Sequence, residues 1–346
     1  MTDDWLRDAL DDAVSDVEPN DALDSIRSRT KVTPMSSKRP WMYGAGGALL
    51  ATAATITAFA LFNNGGTPQS ADPGPASTSS QSPDQTPTDA SPGPSVVVPA
   101  YYLGEVTYHA GEGGEMQTAF RLYREFGNAD GTSIETAAAG ALERMFGSPN
   151  DPDYASPWND GIDVLSVTHD GGVISVDLTG PVQQANVGAE SAELAVQQLV
   201  YTVQGALSVM QEMNATDPVQ ILIDGEPAGD LWGHVDASRP IARADATGTQ
   251  APIWISEPAD GTVQGNPVVV SGIAQVFEAT VSWRLLKDGA EVDSGFTNAS
   301  EGAPAFGSYT FDFVGLVPGE YVVEVFESSA LDGSDTFKDT KTFTVE

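Results

Sequence analysis

Residues 162–179, IDVLSVTHDGGVISVDLT, are the stretch from which the middle of the chain can be read. Ile174, Val176 and Leu178 alternate with Ser175 and Asp177, and Asp170-Gly171 supplies turn chemistry, so the segment predicts a β-hairpin. Downstream, residues 189–212 place Leu194, Leu199, Val203, Leu207 and Met210 on one side, with Glu190 and Glu193 in the first turn where the helix dipole favours them. A long helix is expected there, followed by a strand in VQILIDG (219–225). Upstream, TAFRLYREF (118–126) reads as a strand. Thr132 and Glu135 form a capping-box pattern opening a helix whose stripe is Ile134, Ala138, Ala141, Leu142 and Met145. The resulting order, strand, helix, strand, strand, helix, strand, is an α+β plan over residues 96–243, with two helices on one face of a mixed sheet. YYLGEVT (101–107) adds an edge strand to that plan.

Residues 251–346 keep a period of two throughout. Tyr309, Phe311 and Phe313 share one face, as do Tyr321, Val323 and Val325, and turns fall at Asp288-Gly289, Pro318-Gly319 and Asp332-Gly333. About seven short strands predict an all-β immunoglobulin-like sandwich without a disulfide, with Trp283 as its core aromatic. In IWISEP, Trp254 alternates with Ile253 and Ile255, and the pattern does not say which face is core.

The first part of the chain has a different character. The chain has 346 residues, 15 Lys+Arg against 49 Asp+Glu, a formal net charge of -34 and no cysteine. Two of those few cations, Lys38 and Arg39, immediately precede an uncharged run from Trp41 to Phe62. At about 1.5 Å per residue this run spans about 33 Å, close to the hydrocarbon thickness of a bilayer. Trp41 and Tyr43 suit the interface, and the Asn63-Asn64-Gly65-Gly66 side carries no cation, so the residues before 38 are expected in the cytoplasm and those after 63 outside. A cleaved signal peptide would have a shorter leader, although Ala58-Phe59-Ala60 matches a small-x-small site. The expected organisation is an acidic tail (1–37), a transmembrane anchor (38–63), a Ser/Thr/Pro linker (64–95) and then the two domains. The tail places Trp5, Leu6, Ala9, Leu10, Ala13 and Val14 at helical spacing. The linker has almost nothing to bury and should be an extended spacer with a mean reach of about 30 Å.

The strongly anionic balance excludes a nucleic-acid binder, because a surface of this sign repels phosphate. The absence of cysteine excludes disulfides, thiolate metal sites and cysteine nucleophiles. HExxH, GxSxG, P-loop and dinucleotide glycine patterns are absent. Of three histidines, His109 and His169 read as exposed polar residues. His234 stands with Trp232, Asp236 and Arg239 in a segment that reads as a packed, hydrogen-bonded closure. The acidic turn 332–335 (DGSD) lacks the EF-hand spacing for calcium, and Trp254 or Trp232 could serve as a stacking platform for a glycan. No catalytic, cofactor-binding or metal residue is assigned, and no cofactor is expected.

Whole segments carry a family likeness. FRLYREF, SIETAAAGALERMF, VISVDLTG, LAVQQLVYTVQGAL and VQILIDGEPAGDLWGHVDASRPIAR resemble the GerMN domain of sporulation and spore germination proteins. The segment beginning IWISEPADGTVQGNPVVVSGIAQVF and ending DTKTFTV resembles the immunoglobulin-like domain of bacterial spore germination proteins. The resemblance implies an extracytoplasmic assembly role in the cell envelope without chemistry of its own. Proteins with this domain are often lipoproteins; here the cysteine is absent and a membrane helix stands in its place. The expectation is therefore a non-enzymatic, single-pass envelope protein whose partners are other envelope proteins or cell-wall polymer, with the membrane engaged through 41–62 and homotypic assembly through edge strands. A cell-wall glycan-binding module and a regulator acting through the N-terminal tail are the alternatives.

Overall fold

A computed structural model describes residues 94–346 except 112–113, 185–186 and 211–214. The expected tail, the anchor at 41–62 and nearly all of the linker lie outside the described residues. Among the described residues no helix is long and apolar enough to cross a membrane.

The α+β domain opens with a long antiparallel pair, β1 (Ser95–His109) and β2 (Met116–Asp130), in register from Ser95↔Asp130 to His109↔Met116. The expected edge strand at 101–107 is instead the middle strand of a three-stranded sheet, with β3 (Tyr154–Ala155) on its other side. The reason is burial on both faces: Val98 to Gly104 are continuously buried, so the run lacks the alternation that marks a half-exposed strand. Next come α1 (Ile134–Phe146) and the hairpin of β4 (Asp163–Asp170) and β5 (Val173–Thr179). Then follow α2 (Ala189–Val209), β6 (Val219–Ile223) and β7 (Glu226–Pro227). The second sheet has the order β4-β5-β6-β7, and β5 and β6 run parallel while the outer pairs are antiparallel. The mixed sheet is thus real, but β1 and β2 stand outside it, in a sheet with β3.

Local details follow the chemistry. The turn between β4 and β5 is Gly171-Gly172, both at positive φ, with Asp170 the last residue of its strand. The N-cap of α1 is Ser133, one residue later than expected, and the box closes with Thr136 rather than Glu135. Helix α2 is buried almost all round, because β1 and α1 pack against it within the α+β core. That burial explains its polar residues. Thr202 Oγ1 accepts the Tyr101 N–H at 3.0 Å, and Gln198 Nε2 donates to the Tyr101 carbonyl at 2.7 Å, so they satisfy the backbone of β1 on the side that β2 does not reach.

The second domain begins after a helical turn, α3 (Ala246–Thr249), capped by Asp245. A closing hairpin, β8 (Asp230–Leu231) and β9 (Val235–Asp236), precedes it. The sandwich has eight strands: β10 (Ile253–Glu257), β11 (Thr262–Gln264), β12 (Val268–Ala274), β13 (Thr280–Lys287), β14 (Ala290–Asn298), β15 (Gly307–Phe313), β16 (Gly319–Ser328) and β17 (Asp335–Val345). They form sheets of order β10-β12-β15 and β11-β17-β16-β13-β14. Its core contains Ile253, Ile255, Val270, Val281, Leu285, Tyr309, Phe313, Tyr321, Val323 and Phe343. Trp283 does point inward between Val281 and Leu285, but it is only half buried, stacked on Phe311 with ring centroids 5.1 Å apart over Gly295.

Candidate functional site

Two features stand out: a buried polar joint between the domains and an open cleft beside it. The joint is built from β17. Its inward positions continue from Phe343 and Val345 to Lys341 and Asp339, so two charged side chains fall in phase with the apolar stripe. At Lys341 and Asp339 that face is met by the α+β domain, through Tyr154 of β3 and Asp151 in the loop before it. Lys341 and Asp151 are 3% and 2% exposed. Lys341 Nζ donates to Tyr154 Oη at 2.6 Å, pairs with Asp151 Oδ2 and lies 3.5 Å from Asp339 Oδ1. Tyr154 Oη donates to Asp339 Oδ1 at 2.7 Å, and the Ile255 N–H donates to Asp339 Oδ2 at 2.6 Å. Below the pair, Glu125 orients the loop by accepting the Asn150 and Asp151 N–H groups at 3.0 and 2.9 Å.

Enclosure sets the protonation of this cluster. Burial pushes Asp339 above its ordinary range, only partly opposed by Lys341 and the hydrogen bonds it accepts. For Lys341 burial alone would lower the ammonium, yet Asp339 and Asp151 hold it above its usual value. Tyr154 and Tyr309 are raised well above the phenol range by burial first and by Asp339 second.

Apolar contacts extend the joint. Trp254 is 3% exposed and packs into the α+β core, with the Arg124 guanidinium 5.1 Å from its ring and Phe306 at 5.8 Å. Ile253 and Ile255 on the opposite face belong to the sandwich core. Both faces of β10 are therefore buried, which is why alternation could not choose between them and why Trp254 is no glycan platform. The Ala251 N–H donates to the Leu122 carbonyl at 2.9 Å, and Tyr108 stacks on Phe337 at 6.1 Å.

His109, expected to be exposed, closes the far end of the joint. Nε2 lies 3.0 Å from Ser334 Oγ and 3.4 Å from Asp332 Oδ1, and Nδ1 lies 3.0 Å from the Gly114 carbonyl. The acidic turn 332–335 is thereby committed: Asp332 accepts from Ser334, while Asp335 pairs with Arg284. The Ser334 hydroxyl and N–H draw Asp332 down to about 2, with His109 adding to the effect. Among the described residues no group of three His, Asp or Glu converges as a metal site.

The cleft, of about 400 Å³, is lined by His109, Phe277, Glu278, Thr280, Ser282 and Glu327 among others. It is open, and Glu327 spends one oxygen on the Phe277 N–H at 2.7 Å. His169 is likewise not an exposed residue; its side chain is 14% exposed and Nε2 lies 2.9 Å from Asp217 Oδ2. The segment 232–239 is hydrogen-bonded as expected. Trp232 donates to the Val182 carbonyl at 2.8 Å and packs edge-on against Trp158, and Asp236 caps Ser238 and faces Arg239 at 3.6 Å. His234 lies exposed in the turn of that hairpin. Sequence reasoning missed Lys341, Asp339 and Asp151. The first two carried a signal, charges in register with a core stripe, and Asp151 carried none.

Comparison with known proteins gives a sporulation and spore germination domain over residues 101–229 and an immunoglobulin-like domain of bacterial spore germination over residues 252–334. No curated protein matches the chain. Among solved structures, the tandem GerMN domains of the sporulation protein GerM from Bacillus subtilis match at 12% identity and a TM-score of 0.31, covering 43% of this chain and 46% of that one. An engineered protein solved by crystallography matches at 16% identity and a TM-score of 0.24, covering 43% and 36%. The chain thus spans less than half the length of either.

Proposed function

We propose that this chain, which carries a sporulation and spore germination domain of the GerMN type followed by an immunoglobulin-like spore germination domain, is a membrane-anchored, non-enzymatic scaffold of the cell envelope. The supporting observation is that the two domains are packed into one block through a buried polar joint, a construction suited to holding a fixed shape. The uncharged run 41–62, preceded by Lys38 and Arg39, anchors the block from the cytoplasmic side. Partners engage open sheet edges. Among the described residues, strand β14 pairs only with β13 and exposes Val292 and Phe296, and β4 pairs only with β5 and exposes Leu165. The partners are other envelope proteins or a second copy of this chain.

Protease applied to intact cells tests this reading. Loss of residues 94–346 with retention of a membrane-bound N-terminal fragment is the expected result, and full protection of the domains contradicts it.

A further inference from the structure

Lys341 and Asp151 meet at the joint although 190 positions separate them in sequence. Asp339 stands beside them, and Tyr154, Tyr123 and Tyr309, all buried, surround the group. In water an ammonium and a carboxylate do not condense, because hydration stabilises both ions and water is in excess. Here both obstacles are reduced. Burial strips the hydration that favours the ionised pair. Holding the two groups in contact corresponds to an effective concentration on the order of 10⁵–10⁸ M for a well-oriented reaction.

We propose that Lys341 and Asp151 form an intramolecular amide bond that joins the two domains covalently, with Asp339 as the proton carrier. Asp339 Oδ1 lies 3.5 Å from Lys341 Nζ and is also connected to it through Tyr154 Oη, at 2.7 and 2.6 Å. Burial makes the Asp339 carboxylate a stronger base than usual, as a group that receives and then returns a proton requires. In the reaction the Lys341 ammonium gives a proton to Asp339, and the neutral amine attacks Cγ of Asp151. The Nζ–Cγ bond forms and one Cγ–O bond breaks. That oxygen leaves as water with two of the three ammonium protons, one of them relayed by Asp339, which ends as it began. Ammonium plus carboxylate gives amide plus water, with no redox change and no further reactant.

The same acceptors would also satisfy an unreacted ammonium, so mass rather than geometry separates the two states. Mass spectrometry of the denatured full chain should show a mass lower than the sequence by one water. Trypsin should then yield the peptide containing Asp151 joined to residues 339–346, with cleavage after Lys341 blocked. Lys341→Arg, which keeps the cation, restores the full mass. Asp339→Asn keeps both reacting groups yet loses the link, which a purely structural role for Asp339 would not produce. A wild-type chain with the full sequence mass and normal cleavage after Lys341 overturns the proposal. A linked Asp339→Asn variant overturns the role of Asp339.

Discussion

The Lys341 side chain is enclosed by Asp151, Asp339 and the Tyr154 phenol, and replacing it with an apolar residue leaves Asp151 neither linked nor paired and Asp339 buried without a nitrogen partner. Breaking such a group by deleting one partner costs about 3–5 kcal/mol, so Lys341→Met should lower the unfolding free energy of the full chain by about that amount, read as a lower midpoint in a denaturant titration. Asp332 behaves oppositely to Asp339. Donors from Ser334 hold its carboxyl at about 2 against an ordinary value of 3.8, so its contribution is complete above pH 3.8 and is lost as the pH falls through about 2. An NMR titration of its side-chain carbon should show this low value, and Ser334→Ala should return it toward 3.8. Asp332 does not announce itself from the sequence, and Lys341 does so only through its phase. DGSD reads as a solvated turn, and TFKDTKTFTV reads as alternation with a polar outer face. Only extending the phase of Phe343 and Val345 backward puts Lys341 and Asp339 inside. Asp151 sits in a loop whose position depends on Glu125 in β2, a contact that no local pattern encodes.

Among the elements, the hairpin of β4 and β5 was legible because one of its faces is exposed and its turn needs positive φ at two residues. Strand β1 was misplaced for the converse reason: a strand covered by α2, β2 and β3 shows an unbroken apolar run, and its position in the sheet depends on long-range pairing. Helix α2 was legible as a helix but not as a buried one, since Gln198, Thr202 and Gln204 find their partners only in β1 and at Asp217. Replacing Thr202 by Val keeps the shape but leaves the Tyr101 N–H without an acceptor. That change should cost about 1–3 kcal/mol, read as a lower denaturant midpoint at unchanged slope.

The two domains are distinct in pattern but joined in packing. The sequence pattern changes from α+β to period two near residue 250. It does not reveal that Trp254 crosses the boundary, because Arg124, which lies over that ring, is more than a hundred residues upstream. Trp254→Ala empties a buried site on the joint and should cost about 3–5 kcal/mol, with the loss appearing as partial uncoupling of the domains. Differential scanning calorimetry of the full chain measures that coupling. A single transition with a calorimetric-to-van't Hoff enthalpy ratio of about 1 is expected for one cooperative block. Two resolved transitions in the unmutated chain, one for each domain, would contradict it.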